Sequence, residues 1–175
     1  MATLTAPPPR PRPELPDGFA IRPVRPADAA GLTAFYAGLS LDSRGRRFLA
    51  ARRGISEVEA LTYATADHEH REGLVATGPP AGTIVAHLCL EPVAPGHLEF
   101  AIAVADPLQH HHLGLALLRA GVAWAEAHGI RTLEATTRAD NGSMLALARA
   151  LGGPLRIGTG SGGVVPFSLD LRPRR

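Results

Sequence analysis

One stretch constrains the fold more than any other: HLEFAIAVADPLQHHHLGLALLRAGVAWAEAHG, residues 97–129. It opens as a strand. Leu98, Phe100, Ile102 and Val104 point one way and His97, Glu99, Ala101 and Ala103 the other, a period of two. It closes as a helix, predicted from about His112 to His128, with Leu113, Leu117, Ala120, Gly121 and Trp124 as its apolar stripe and Gly129 at its end. The switch of period falls on three consecutive histidines, His110 to His112.

Strand and helix signals flank this unit on both sides. FAIRPVR (Phe19 to Arg25) reads as a short strand, and Pro26 suits the first turn of the helix that follows, with Leu32, Phe35, Tyr36 and Leu39 at helical spacing. Short helices are expected near Asp42 to Ala51 and Ser56 to Ala66. REGLVATG and TIVAHLCLE follow as strands about the turn PPAG. In the second of them Ile84, Ala86, Leu88 and Leu90 alternate with Val85, His87, Cys89 and Glu91. Downstream, IRTLEATT is a strand and NGSMLALARALGG an amphipathic helix with Met144, Leu147, Ala148 and Leu151 inward. GVVPFSLDL is a last strand, in which Pro166 suggests an edge or a bulge. The whole predicts an α/β (α+β) domain whose mostly antiparallel strands carry one apolar face, flanked by helices. Its 175 residues suit one domain over 19–175. Residues 1–18, rich in proline, are expected to be a disordered arm.

Several function classes recede on composition. The most apolar stretch, Leu113 to Ala125, carries Arg119, so no segment is expected to span a membrane. The N-terminus has no apolar core behind a basic start, so no signal peptide is expected. Cys89 is the only cysteine, which rules out an internal disulfide and makes the cytoplasm the default location. All 18 basic residues are arginine and the net charge is only +2. They cluster only at RGRRFLAARR (Arg44 to Arg53) and in the tail. With aromatic residues at 5%, no stacking platform for nucleic acid is expected. A solvated helix face beside a substrate cleft explains the cluster better.

Three segments together resemble the GNAT superfamily of acyl-CoA N-acyltransferases. IRPVRPADAAGLTAFYAGLSLDSRGRRFLA is similar to the opening of its bacterial protein-lysine-acetyltransferase-like branch, with the IRP…R…D start and the LS…SR…RF helix. EFAIAVADPLQHHHLGLALL resembles its cofactor motif, a strand ending V-x-D, then Q-x-x-G-x-G or A, then a helix. ADNGSMLALARALG resembles its Asn-x-x-Met helix. The resemblance spans about residues 19–171. It implies the GNAT fold, acetyl-CoA as co-substrate, no metal, and an amine acceptor, either a protein lysine or a small molecule, attacked directly in a ternary complex. A homodimer is compatible with it.

The cofactor loop has a physical basis. A helix N-terminus presents unpaired N–H groups and the positive end of the dipole, and loop amides extend the cradle for a pyrophosphate. The resemblance implies that the backbone of Gln109, His110, His111, His112, Leu113, Gly114, Leu115 and Ala116 holds the pyrophosphate. It also implies that the strand at Ile102, Ala103 and Val104 pairs with the pantetheine arm, and that Asn141 contacts the cofactor. His110 and His112 stand where the family commonly has glycine. At a positive φ each costs on the order of 1–2 kcal/mol. Four readings of the triplet compete. Adjacent helix residues project about 100° apart, which argues against a metal site. Tags sit at termini, which argues against a tag. Tolerated exposed substitutions are the plain reading. The fourth is a working role, in which protonated histidines attract phosphate, so that CoA binding should tighten as pH falls from about 7.5 to 6.

Among candidate bases, the resemblance points to Glu99, a carboxylate on the strand that carries the motif. His87 and Glu91 on the neighbouring strand are alternatives. Family members often protonate the leaving thiolate with a Tyr on the helix after the Asn. That position falls near Ala148 here, leaving solvent or Ser143 as donor. Cys89 reads as a small buried hydrophobe. The rival to an active enzyme is a catalytically impaired GNAT-like binding module with a degenerate pyrophosphate loop.

Overall fold

The computed structural model describes residues 15–171. Seven strands form one sheet: β1 (Ala20–Pro23), β2 (Glu72–Gly78), β3 (Thr83–Ala94), β4 (His97–Val104), β5 (Thr132–Arg138), β6 (Leu155–Ile157) and β7 (Val164–Asp170). Their order is β1-β2-β3-β4-β5-β7-β6. Five helices cover it: α1 (Ala29–Gly38), α2 (Leu41–Phe48), α3 (Glu57–Ala64), α4 (Leu113–Ala127) and α5 (Gly142–Arg149). Every neighbouring pair of strands is antiparallel except β4 and β5. Most of the arm expected over 1–18 lies outside the described residues. Within its end, Leu15 packs against the core and the Phe19 N–H donates to the Pro16 carbonyl.

Local chemistry sets the element boundaries. Ser40 caps α2 by accepting from the Ser43 N–H, and α2 stops at Leu49, which turns left-handed. Ser56 and Glu59 form a reciprocal capping box on α3. Gly96, at φ +78°, makes the tight turn between β3 and β4.

The sheet has two cores, not one apolar face. Helices α4 and α5 cover one side, over Leu88, Leu90, Phe100, Ile102, Leu117, Leu133 and Phe167. Helices α1 to α3 cover the other, over Leu32, Tyr36, Val75, Ile84 and Ala103. Strand β3 is therefore buried without a break from Ile84 to Leu90. A register shift where Ala76 and Thr77 of β2 face Ala86 and Ile84 leaves Val85 as an extra residue. That bulge reverses the phase, so Ile84 faces α1 while Ala86 and Leu88 face α4.

Helix α4 lies close to its predicted bounds, but its buried stripe is rotated. It runs through Leu113, Leu117, Leu118, Gly121, Val122 and Ala125, and leaves Trp124 and Ala120 half-exposed. The reason is Gly121, where a Cβ would collide with Leu88; the helix presses its backbone against β3 there. Strand β7 is interior, because β6, unpredicted, takes the edge. Pro166 fits there because its carbonyl accepts from the Gly158 N–H, just past the end of β6. Its missing donor thus faces a position without a partner strand.

The parallel pairing of β4 and β5 is short. His97, Leu98 and Glu99 pair with Thr132, Leu133 and Glu134, and the strands then part. The rest of β4, Phe100–Val104, has no partner on that side among the described residues. This split in the sheet positions the site.

Candidate active site

At the end of β4 the chain folds through a short 3₁₀ turn, Asp106–Leu108. The Asp106 carboxylate accepts from the Ser40 N–H (2.9 Å), the Ser40 hydroxyl (2.6 Å) and the Ser43 hydroxyl (2.7 Å). Burial alone would raise its pKa; the hydrogen bonds from Ser40 and Ser43 outweigh that and hold it below the usual carboxylate range. Gln109 Nε2 donates to Ser43 Oγ (3.0 Å) and to the Val104 carbonyl (3.2 Å). The loop motif thus clasps α2 to the end of β4.

Two of the three histidines are left-handed, His110 at φ +65° and His112 at φ +60°. His112 is the N-cap of α4, and its side chain makes no capping bond. The first helical hydrogen bond runs from the Ala116 N–H to the His112 carbonyl (3.0 Å). The N–H groups of Leu113, Gly114 and Leu115 precede it and have no acceptor within the helix. The first turn of α4 also holds no acidic residue. Together these make a concave set of donors at the positive end of a 15-residue helix.

This end of α4 opens on a cleft of about 470 Å³ between α2, β4 and α5. Of the residues expected to bind a cofactor, Ile102, Ala103, Val104, Gln109, His110, His112, Gly114, Leu115 and Asn141 line it. Three do not. His111 is exposed outside the cleft. Leu113 and Ala116 turn their side chains into the core, where they are 3% and 4% exposed. Ala116 also uses its N–H in the helix, which removes it from the set of free donors.

Asn141 is buried, and both atoms of its amide are engaged. Its Oδ1 accepts from the Met144 N–H (3.2 Å) and from Arg46 Nη1 (3.3 Å), and its Nδ2 donates to Thr137 Oγ1 (2.9 Å). It caps α5 and anchors Arg46 across the cleft. Ala148, the expected place of a proton donor, lies wholly in the core. The cleft-facing positions of α5 are Ser143, Met144, Ala146 and Leu147, with Ala150 just beyond, and only Ser143 bears a hydroxyl. Ser43, Arg46 and Arg47 of α2 also line the cleft. All three lie in the LS…SR…RF segment, whose run of arginines carries no periodic signal that marks a cleft-facing side.

Glu99 stands apart from the cleft. It is exposed and lines a second depression, of about 480 Å³, with Glu134, Thr136, Arg156 and Phe167. In register it sits between Glu91 of β3 and Glu134 of β5, so three carboxylates cross the sheet in one row. Glu134 Oε1 is 2.6 Å from His97 Nδ1. Burial pushes the Glu91 pKa up, with Arg71 opposing. His87 is removed from the list of bases. It is fully buried, its Nδ1 lies 2.8 Å from the Tyr36 hydroxyl, and its Nε2 has no partner. Burial, with Arg47 nearby, drives its pKa down to about 3 and keeps it neutral. Cys89 is buried, and burial raises its thiol pKa. Among the described residues no group of three or more His, Cys, Asp or Glu could hold a metal, and no helix is long and apolar enough to cross a membrane.

The model of the acetyltransferase (GNAT) family matches residues 41–152. Among solved structures, the GNAT domain of PAT from S. lividans is 27% identical, with a TM-score of 0.77 over 86% of this chain and 89% of that one. Salmonella typhimurium yncA, solved with its cofactor acetyl-CoA, is 18% identical, with a TM-score of 0.72 over 91% and 97%. The ribosomal-protein-S18-alanine N-acetyltransferase of Escherichia coli is 19% identical, with a TM-score of 0.67 over 90% and 96%. No curated protein matches the chain.

Proposed function

The chain belongs to the acetyltransferase (GNAT) family, and from that premise we propose that it moves an acetyl group from acetyl-CoA to a primary amine by direct attack in a ternary complex. One observation carries the reading: the unpaired half of β4 and the uncapped first turn of α4 open on the same cleft. Both offer backbone donors that nothing else in the described chain uses.

The residues present fit the cofactor. The N–H groups of Leu113, Gly114 and Leu115 would hold the pyrophosphate, and the left-handed turns at His110 and His112 shape the loop around it. The backbone of Ile102, Ala103 and Val104 would pair with the pantetheine arm as an added strand. An N–H there would polarise the carbonyl. Asn141 and Gln109 hold the walls in place, with their amides engaged on α5, α2 and β4. Bound acetyl-CoA supplies an activated thioester. Glu99, two residues before Ala101 on the β4 strand that lines the cleft, takes the proton of the incoming ammonium through water. The amine nitrogen then bonds to the carbonyl carbon, the carbon–sulfur bond breaks, and the acylated nitrogen releases its second proton to water to leave the neutral amide. The departing thiolate takes a proton from solvent, directly or relayed through the Ser143 hydroxyl, which water reprotonates.

The acceptor is a protein lysine or a small amine. A second reading rests on the left-handed histidines: strain in the loop weakens the cofactor site and leaves a binding module. Calorimetric titration of acetyl-CoA, with thiol release assayed in parallel, separates the two. The enzyme reading expects micromolar binding. It also expects Glu99→Gln to bind as the native protein does and to lose about 10²-fold or more in kcat. No binding by the native protein, restored in His112→Gly, would establish the module instead.

A further inference from the structure

Arg47 has no role in the reading above, yet its surroundings are the most unusual in the molecule. Its guanidinium carbon lies 4.9 Å from the Phe48 ring, 5.8 Å from Tyr36 and 5.9 Å from Tyr63. Nη2 donates to Cys89 Sγ at 3.3 Å, and Nε is buried with no partner. Arg22, Arg46, Arg52 and Arg138 each pair with a carboxylate within 2.7 Å. Arg47 pairs with none among the described residues, although it lines the cleft. A cation drawn into an aromatic box without a counter-charge is poised for an anion, and a guanidinium fork matches a carboxylate.

The place of Arg47 says what brings that carboxylate. Cys89, beneath its guanidinium, pairs with Ala101, and the adjacent same-face pair is Glu91 with Glu99. Residues two apart on a strand share a face, roughly 7 Å apart. Over one face of β3 and β4 therefore lie the unpaired Arg47 cation of α2 and, one step along, the carboxylates of Glu99 and of Glu91, the latter 3.7 Å from Arg71 Nη1. Ala101, partly exposed beside Cys89, adds no bulky side chain between them. An ammonium and a carboxylate held a short distance apart would complete both.

We propose that the acceptor is a free amino acid whose carboxylate is bound by Arg47 while its amino group faces Glu99. The assignment rests on the acetyl-transfer reading and narrows its substrate class. Arg47 is then a specificity residue that rejects amines without a neighbouring carboxylate, such as a lysine side chain in a protein.

The test compares each common L-amino acid with its own carboxamide, and with a terminally blocked lysine peptide, as acceptors for acetyl-CoA. Thiol release gives the rates. Calorimetry in the presence of CoA gives acceptor binding without turnover. The carboxamide is the less basic amine, so it is intrinsically favoured near neutral pH. The proposal expects at least one amino acid to exceed its carboxamide about tenfold or more in kcat/KM, and to bind where the carboxamide does not. In Arg47→Met that ratio should fall to one or below while acetyl-CoA still binds. Carboxamide or blocked peptide used as well as the acid, or a variant that slows both alike, would overturn it. If Arg47→Met does not fold, the native acid-to-amide ratio decides alone. Absence of both acetyl-CoA binding and thiol release with every acceptor would overturn the transfer reading itself, and this assignment with it.

Discussion

His112 holds a left-handed conformation that glycine adopts freely and a β-carbon resists. It does so at the one helix terminus that the proposed function needs open. The strain is on the order of 1–2 kcal/mol. Replacing His112 with glycine relieves it in the folded state but also loosens the unfolded chain, which offsets about half or more of the gain. Thermal unfolding of His112→Gly should therefore match or modestly exceed the native midpoint. The larger effect is on the ligand. With no imidazole at the rim of the cradle, acetyl-CoA should bind several-fold tighter by calorimetry. Weaker binding by the variant would mean that the imidazole contacts the phosphates, the working role that the triplet admits. At this scale the sequence was a good guide to the loop and a poor guide to its members. A motif marks where a backbone must approach phosphate. It does not say that Leu113 and Ala116 face the core, or that Asn141 and Gln109 use their amides on neighbouring elements.

Helix α2 is held from outside by Asp106, whose carboxylate gathers the Ser40 backbone and two serine hydroxyls. Because α2 carries Ser43, Arg46 and Arg47 into the cleft, the clasp sets the width of the site. Its folded pKa is held below the ordinary Asp value by the hydrogen bonds from Ser40 and Ser43, against the opposing effect of burial. The clasp thus contributes stability above the unfolded pKa, about 3.9, and loses it as pH falls through the lower folded value. Asp106→Asn should lower the unfolding midpoint at pH 7 and raise KM for acetyl-CoA. The stability gap should close below about pH 4; a gap that stays constant to pH 3 would show that the charge is not what holds α2. The sequence revealed the long elements because their periodicity is strong, as in β4 and α4. Strand β6 escaped because three residues among glycines carry no period. The role of α2 escaped because a run of arginines reads as a solvated face, and only packing shows that Arg47 is drawn into an aromatic box. The second core escaped for a related reason: His87 and Cys89 look like the polar side of β3 until α1 to α3 cover them.

The molecule as a whole is two half-sheets joined by a short parallel seam. β1 to β4 carry α1 to α3 on one side, and β5 to β7 carry α5. The seam involves only His97–Glu99 and Thr132–Glu134, while α4 packs across β2, β3 and β4 of the first half. Beyond it, α2 and α5 meet chiefly through Arg46 and Asn141. A ligand along β4 would replace the missing strand and touch both halves at once. Its binding energy would therefore act on the unfolding of the whole chain. At a hundredfold excess over Kd, a ligand that binds only the folded state adds about 2.7 kcal/mol. For a chain of 175 residues, that corresponds to a rise of about 5–10 °C in Tm. Hydrogen exchange should then slow in α2 and in α5 together, together with the β4 amides near Ile102 to Val104. Protection confined to the start of α4 would indicate that only the phosphates are held and that β4 receives no added strand.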